Sequence, residues 1–205
     1  MKLSDYIWIK HNALTPEFCA HVINKFNDDE RSILGKTGSG YVPDVKQSTD
    51  LLISAYEEWS EEDEVFFKSL NTSFDEYIDS LPGQDQYYNE FKRPVEDTGY
   101  QIQRTEPGGF YVWHHDGMPK YHNKKLGVRT ATFIWYLNDV VEDGYTEFID
   151  GTKVQPETGK LLVFPATWQY EHRGYPPKSE VKYLVTGWMY SDYTDCCHAV
   201  QDEED

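Results

Sequence analysis

The segment Tyr111-Val112-Trp113-His114-His115-Asp116 sets a histidine and an aspartate two residues apart, where an aromatic stretch runs into a loop. In a strand, residues i and i+2 point to the same face. His114 and Asp116 can therefore enter one cavity while His115 points away. One neutral imidazole and one carboxylate are two of the three ligands of a facial triad for non-haem iron(II). The third must come from far along the chain. The best candidate is His172, at the end of an aromatic stretch and followed by Arg173-Gly174. Three protein ligands on one face leave three positions open for a co-substrate and O2. Each residue also has a plainer reading. His-x-Asp spacing permits ligation without requiring it, and a lone histidine is commonly a hydrogen-bonded structural residue.

Lys182 adds a second kind of chemistry. It sits ten residues after His172, inside the otherwise apolar run Val181 to Trp188. Burying an ammonium there is costly unless it meets an anion. Either the head snorkels to water or it faces inward and binds a carboxylate.

These residues need a scaffold. After about residue 99 the sequence breaks into short alternating or aliphatic runs at 100–105, 110–115, 129–137, 145–149, 152–155, 160–164, 168–173 and 181–190. Pro107-Gly108-Gly109, Asp139 to Gly144, Asp150-Gly151 and Pro156 to Gly159 separate them, as turn residues do. Eight short strands with hairpin-sized gaps predict a jelly-roll, or double-stranded β-helix. Upstream, Tyr6 to Ile9 reads as a short strand. Thr15-Pro16-Glu17 reads as an N-cap, a first-turn proline and a first-turn acid. Phe18, Val22, Ile23 and Phe26 follow at helical spacing. A second helix is predicted from Ser60, with Val65, Phe66, Leu70, Phe74, Tyr77, Ile78 and Leu81 as its apolar set and Pro82-Gly83 as its stop. Residues 35–50 read as a loop. Helices gathered before a β domain pack on one sheet's outer face. The fold class expected is therefore α+β, mainly β. One domain spans 1–205: a helical support with loops (1–98), a jelly-roll catalytic core (99–190) and a short acidic tail (191–205).

Composition narrows the function classes. The chain has 205 residues, with 16 Tyr, 10 Phe and 6 Trp, a content that suits a β-rich core. No apolar run approaches the roughly 20 residues of a membrane span, and the first ten residues do not read as a secretory signal. Cys19, Cys196 and Cys197 form no disulfide framework and no Cys-x-x-Cys zinc pair. A soluble, cytoplasmic protein is expected. The formal charge of −17 would repel a phosphate backbone, so nucleic acid is not an expected partner. Such a surface confers solubility and would steer a basic peptide towards the protein.

At these residues the chain resembles the iron(II)/2-oxoglutarate dioxygenases, in their prolyl 4-hydroxylase-like branch. The family pattern Tyr-x-x-Gly-x-x-Tyr-x-x-His-x-Asp is matched by Gly108, Tyr111, His114 and Asp116. Tyr136-Leu137-Asn138 and Gly144-Tyr145-Thr146-Glu147-Phe148 resemble its Tyr-Leu-Asn and Gly-Gly-x-Thr-x-Phe. His172, Pro176, Lys182 and Trp188 resemble its distal pattern, and Val154 to Phe164 fits the stretch before it. The resemblance covers about 99–190. Three positions depart from it: Thr105 replaces the first Tyr, Tyr145 the second Gly of Gly-Gly, and Glu180 the Gly at +8 from His172.

The resemblance implies that His114, Asp116 and His172 bind Fe(II). It implies that Lys182 pairs with the C5 carboxylate of 2-oxoglutarate, with Tyr136 hydrogen-bonding the same group and Thr146 and Tyr111 lining the pocket. Arg129 and Trp188 fall on the substrate side. The implied reaction uses O2 and 2-oxoglutarate, with ascorbate as an accessory reductant, and hydroxylates an unactivated C–H. The retained Asp116 argues against a halogenase, where a small residue frees a position for chloride. A proline-containing protein or peptide is the first substrate class, with loops 35–50 and 83–98 and their Tyr41, Tyr87, Tyr88 and Phe91 as an aromatic groove. The same chemistry on a free amino acid or small metabolite is the second. A non-catalytic scaffold is the third, and an intact triad plus Lys182 weighs against it.

Overall fold

The computed structural model describes residues 2–82, 96–117, 119–122 and 125–192, with 119–122, 125–126 and 191–192 described as backbone. The predicted groove residues Tyr87, Tyr88 and Phe91, and the tail beyond Asp192, lie outside the described residues. The strands are β1 (Trp8–Lys10), β2 (Ile33–Leu34), β3 (Thr49–Leu52), β4 (Glu96–Asp97), β5 (Gln101–Thr105), β6 (Tyr111–His114), β7 (Pro119–His122), β8 (Lys125–Tyr136), β9 (Thr146–Phe148), β10 (Lys153–Val154), β11 (Leu161–Pro165), β12 (His172–Gly174) and β13 (Lys182–Asp192). Two helices precede most of them, α1 (Pro16–Asp28) and α2 (Ser60–Ser80).

The large sheet runs β1-β11-β8-β13-β5-β3-β2, with β4 beside β13 and β7 beside β8, and the small sheet runs β10-β9-β12-β6. All the pairings are antiparallel, and together the sheets make the expected jelly-roll.

Period-two alternation sorts the central strands into two cores. Phe133 and Trp135 on β8, Leu161 and Val163 on β11, and Val185 on β13 face the helices, where they meet Cys19, Val22, Phe26, Phe66 and Leu70. Their neighbours Ile134, Tyr136, Leu162, Phe164 and Leu184 face the small sheet, where they meet Phe148, Val154 and Tyr170. A one-residue slip would exchange the two sets, so burial on both faces fixes the register. Phe66 is fully buried and touches the rings of Phe18, Tyr100 and Trp135 at 5.3–5.5 Å. It locks α2 onto the back of the large sheet.

α1 begins as its sequence predicts: Thr15 Oγ1 accepts from Phe18 N–H, and Pro16 is the first helical residue. α2 also starts at Ser60, but Val65 is exposed and does not join the apolar face. Several expectations are corrected. Residues 168–173 are not one strand, because a 3-10 turn occupies Trp168–Tyr170 before β12. The region 35–50 is not all loop, because β3 takes its last two residues into the sheet beside β5. β8 begins at Lys125 rather than 129, where it pairs with β7. The N-terminal strand starts at Trp8, after a 3-10 turn over Leu3–Tyr6. No helix among the described residues is long and apolar enough to cross a membrane.

Candidate metal and co-substrate site

β12 lies between β9 and β6 in the small sheet, and His172 pairs with His114 across that ladder. A single register position therefore brings together two histidines 58 residues apart in the chain. Asp116 follows β6 on an outgoing loop. Gly117 lets that loop press against Ala166, where any side chain would lie 2.7 Å from the Ala166 carbonyl oxygen.

The imidazoles are oriented from behind. His114 Nδ1–H donates to the Val112 carbonyl at 2.8 Å and His172 Nδ1–H to the Tyr170 carbonyl at 3.0 Å. These carbonyls can only accept, so Nδ1 carries a proton in both rings and Nε2 is the ring atom turned to the cavity. The two Nε2 atoms each lie 3.8 Å from an Asp116 carboxylate oxygen, and the three donor atoms fall within 4.8 Å of one another. Tyr111 stacks on His114 at 3.6 Å, and Phe164 meets His172 edge-on at 4.8 Å.

Burial, seconded by His172, pushes the His114 pKa down to about 4, so the ring stays neutral. Burial opposes ionisation of Asp116, but the two imidazoles and the Thr132 hydroxyl outweigh it and hold its pKa below the ordinary value. Thr132 Oγ1 donates to Asp116 Oδ2 at 2.8 Å. The Trp188 indole N–H is buried without a hydrogen-bond partner among the described residues, yet its dipole also favours the Asp116 carboxylate. Two imidazoles and one carboxylate on one wall suit a divalent first-row metal. Adjacent donors around such an ion lie about 3 Å apart, given bonds of about 2.1 Å, so a small inward adjustment would seat one.

Lys182 faces the same cavity from β13. It is fully buried, and its ammonium donates to the Gly144 carbonyl at 3.0 Å without a carboxylate partner among the described residues. Burial alone pushes its pKa down to about 8. Gly144 can offer that carbonyl because it takes a left-handed turn (φ +69°), and a side chain there would meet Val140 at 2.8 Å. Tyr136 OH and Thr146 Oγ1 share a 2.7 Å hydrogen bond, both groups buried. Thr105 pairs with Lys182 across β5 and β13.

The cavity has a volume of about 290 Å³, and its lining includes the triad, Lys182, Thr146, Tyr111, Arg129 and Trp188. Tyr136, also expected there, is fully buried behind the lining and reaches the cavity through Thr146. Arg129 lies flat on Trp188, 3.4 Å from the ring centre. Burial lowers its pKa, and the nearby Asp116 carboxylate pulls it back up.

Some residues of this site are not among those read from the sequence. Thr132 is one, and its only signal is a polar residue on the same alternating face as Ile134 and Tyr136. Lys46 is another. It is buried, ion-paired to Asp50 at 2.6 Å, and sits over the Tyr111 ring at 5.5 Å. Nothing in the sequence of a presumed loop announces it.

Residues 100–190 match the sequence profile described as the 2OG-Fe(II) oxygenase superfamily. Among curated proteins, the chain is 28% identical over 145 residues to Probable prolyl 4-hydroxylase 8 of Arabidopsis thaliana, covering 69% of this chain and 44% of that one. It is 26% identical over 216 residues to Prolyl 4-hydroxylase 1 of the same plant, covering 91% and 69%. The chain thus spans less than half of the first relative's length. Two solved structures share the fold. A Trichoplax adhaerens prolyl hydroxylase, in complex with a hypoxia inducible factor peptide fragment, superposes with a TM-score of 0.68 at 18% identity, covering 97% of this chain and 89% of that one. The viral collagen prolyl hydroxylase of Paramecium Bursaria Chlorella virus-1, in a complex with 2OG, gives 0.63 at 20% identity, covering 91% and 96%.

Proposed function

We propose that the chain is an iron(II)- and 2-oxoglutarate-dependent prolyl hydroxylase acting on a protein or peptide, a reading supported by the match of residues 100–190 to the 2OG-Fe(II) oxygenase superfamily profile. The observation that carries the reading is Lys182, a buried ammonium without a carboxylate partner among the described residues, in one cavity with the His114–Asp116–His172 cluster. A buried charge left unpaired is costly. A dicarboxylate co-substrate that meets both the metal and Lys182 removes that cost.

In this reading His114, Asp116 and His172 hold the iron on one wall. Bound iron with 2-oxoglutarate and O2 supplies the oxidising chemistry, in which decarboxylation to succinate is coupled to hydroxylation of a C–H bond. Lys182 binds the distal carboxylate of 2-oxoglutarate. Tyr136 and Thr146 complete that end, their shared hydrogen bond leaving one hydroxyl proton free to turn towards the ligand. Tyr111 packs the His114 ring in place. Ile134 and Leu184 give the cavity an apolar wall, backed by Phe164 against His172, that would keep water from the reacting centre. Arg129 and Trp188 form the substrate side. Ascorbate as a reductant rests on the family resemblance.

The names of the curated relatives support a prolyl substrate, and a hydroxylase of a free amino acid or small metabolite remains the alternative. Residues 99–190 serve as the catalytic core and 1–98 as its support, with α1 and α2 stiffening the large sheet from behind. An intracellular location is the reading that the composition favours, with three cysteines and no disulfide framework in their spacing. The experiment is mass spectrometry of a prolyl-peptide and amino-acid panel with iron(II) and 2-oxoglutarate. A +16 Da product on a prolyl peptide, matched by succinate, is expected. Succinate coupled only to a free amino acid would move the function to the alternative.

A further inference from the structure

The charges lining the cavity do not match the charge of the protein. The chain carries a net −17, yet the described lining holds Lys36, Lys46, Arg129 and Lys182 against a single carboxylate, Asp116. Two of the four cations can be assigned a partner. Lys46 is neutralised by Asp50, at 2.6 Å. A divalent metal held by Asp116 leaves one positive charge, and Lys182 supplies a second. Together these balance the two carboxylates of 2-oxoglutarate.

Arg129 and Lys36 remain. Neither has a carboxylate within ion-pair distance among the described residues. Arg129 stacks on Trp188, 3.4 Å from the ring centre, a contact that takes up a face of the guanidinium and not its N–H edge, and it lines the cavity. A planar edge of parallel donors matches a carboxylate. Its nearness to Asp116 places it beside the metal cluster rather than at the distal end of the co-substrate. Lys36 is exposed on the lining.

We infer that the substrate of this site carries a carboxylate, read by Arg129 and assisted by Lys36. The inference rests on the prolyl hydroxylase reading and narrows it. The overall acidic surface would favour a basic peptide at long range, but salt screens that field beyond about 8–10 Å. The carboxylate can come from an Asp or Glu side chain near the target proline, or from a free chain terminus.

The test is equilibrium binding of matched prolyl octapeptides to protein loaded with manganese(II) and 2-oxoglutarate, followed by tryptophan fluorescence. Within each set one position flanking the proline is Asp, Asn or Lys. Each peptide is made with a free and with an amidated C-terminus, so the two carboxylate sources separate. At least one carboxylate-bearing form is expected to bind roughly tenfold or more tightly than its amide, and the difference shrinks as salt is raised. Arg129→Gln removes the preference, Arg129→Lys restores part of it, and Lys36→Gln, at an exposed position, weakens it without a folding penalty. The inference is overturned if acid and amide peptides bind alike, if Lys-bearing peptides bind best, if Arg129→Gln keeps the preference, or if no peptide binds. Succinate formation from 2-oxoglutarate with the native iron is scored separately. Turnover without acid preference leaves the function standing and removes this inference. Acid preference without turnover does the reverse.

Discussion

Thr132 Oγ1 donates a 2.8 Å hydrogen bond to Asp116 Oδ2, so the only carboxylate of the triad is held by a hydroxyl on a different strand. Asp116 sits on a loop after β6, whereas Thr132 is buried in the middle of β8. The large sheet thereby fixes a ligand that the small sheet supplies. Thr132→Val keeps the shape of the side chain and deletes the donor. Support of this kind is typically worth 10–100-fold in metal affinity, and a loss in that range is expected. Competition with a chromophoric chelator measures it, and Thr132→Ser should recover most of the loss.

If Lys182 binds the co-substrate as proposed, affinity for it depends on pH. Its pKa is pushed down to about 8 by burial, and only the protonated ammonium pairs with a carboxylate. Affinity for 2-oxoglutarate should be full below about pH 8 and fall about tenfold per pH unit above it. In the same range binding takes up a proton, which calorimetry in buffers of different ionisation enthalpy detects. Lys182→Arg, charged throughout, should flatten the profile. Lys182→Met should raise the 2-oxoglutarate requirement at all pH values while metal binding persists.

Phe66 is the lock between α2 and the large sheet, so Phe66→Ala should destabilise the fold without touching the cavity. Deleting a large buried ring costs about 3–5 kcal/mol. Chemical denaturation should show that loss, while metal affinity of the protein still folded is unchanged. Val65→Ala, one residue earlier but exposed, should fall within about 0.5 kcal/mol of the parent.

That His114, Asp116, His172 and Lys182 share one cavity was legible because each is an odd residue in a regular pattern: a His-x-Asp at a strand end, a histidine closing an aromatic run, a lysine in an apolar strand. The jelly-roll followed from period-two runs separated by turn residues, and α1 from its Thr15-Pro16-Glu17 start. What was not legible depends on partners far along the chain. Asp50 does not look like a strand residue, and β3 forms because β5 offers it a ladder. Trp168-Gln169-Tyr170 has strand composition, but the Tyr170 amide donates back to Thr167 at 2.9 Å and closes a turn. That turn delivers the carbonyl that orients His172. The Lys46–Asp50 pair also escapes a sequence reading. Gly35 makes room for it, since a side chain there would lie 3.2 Å from both the Lys46 Cε and the Asp50 Oδ2.

The most direct measurement is iron(II)-dependent conversion of 2-oxoglutarate to succinate by the parent protein and by Asp116→Ala and His172→Ala, with metal content read in parallel. The parent should bind one iron per chain and form succinate, and each variant should lose both. Succinate formation at the parent rate by both variants would contradict the assignment of His114, Asp116 and His172 as the metal centre.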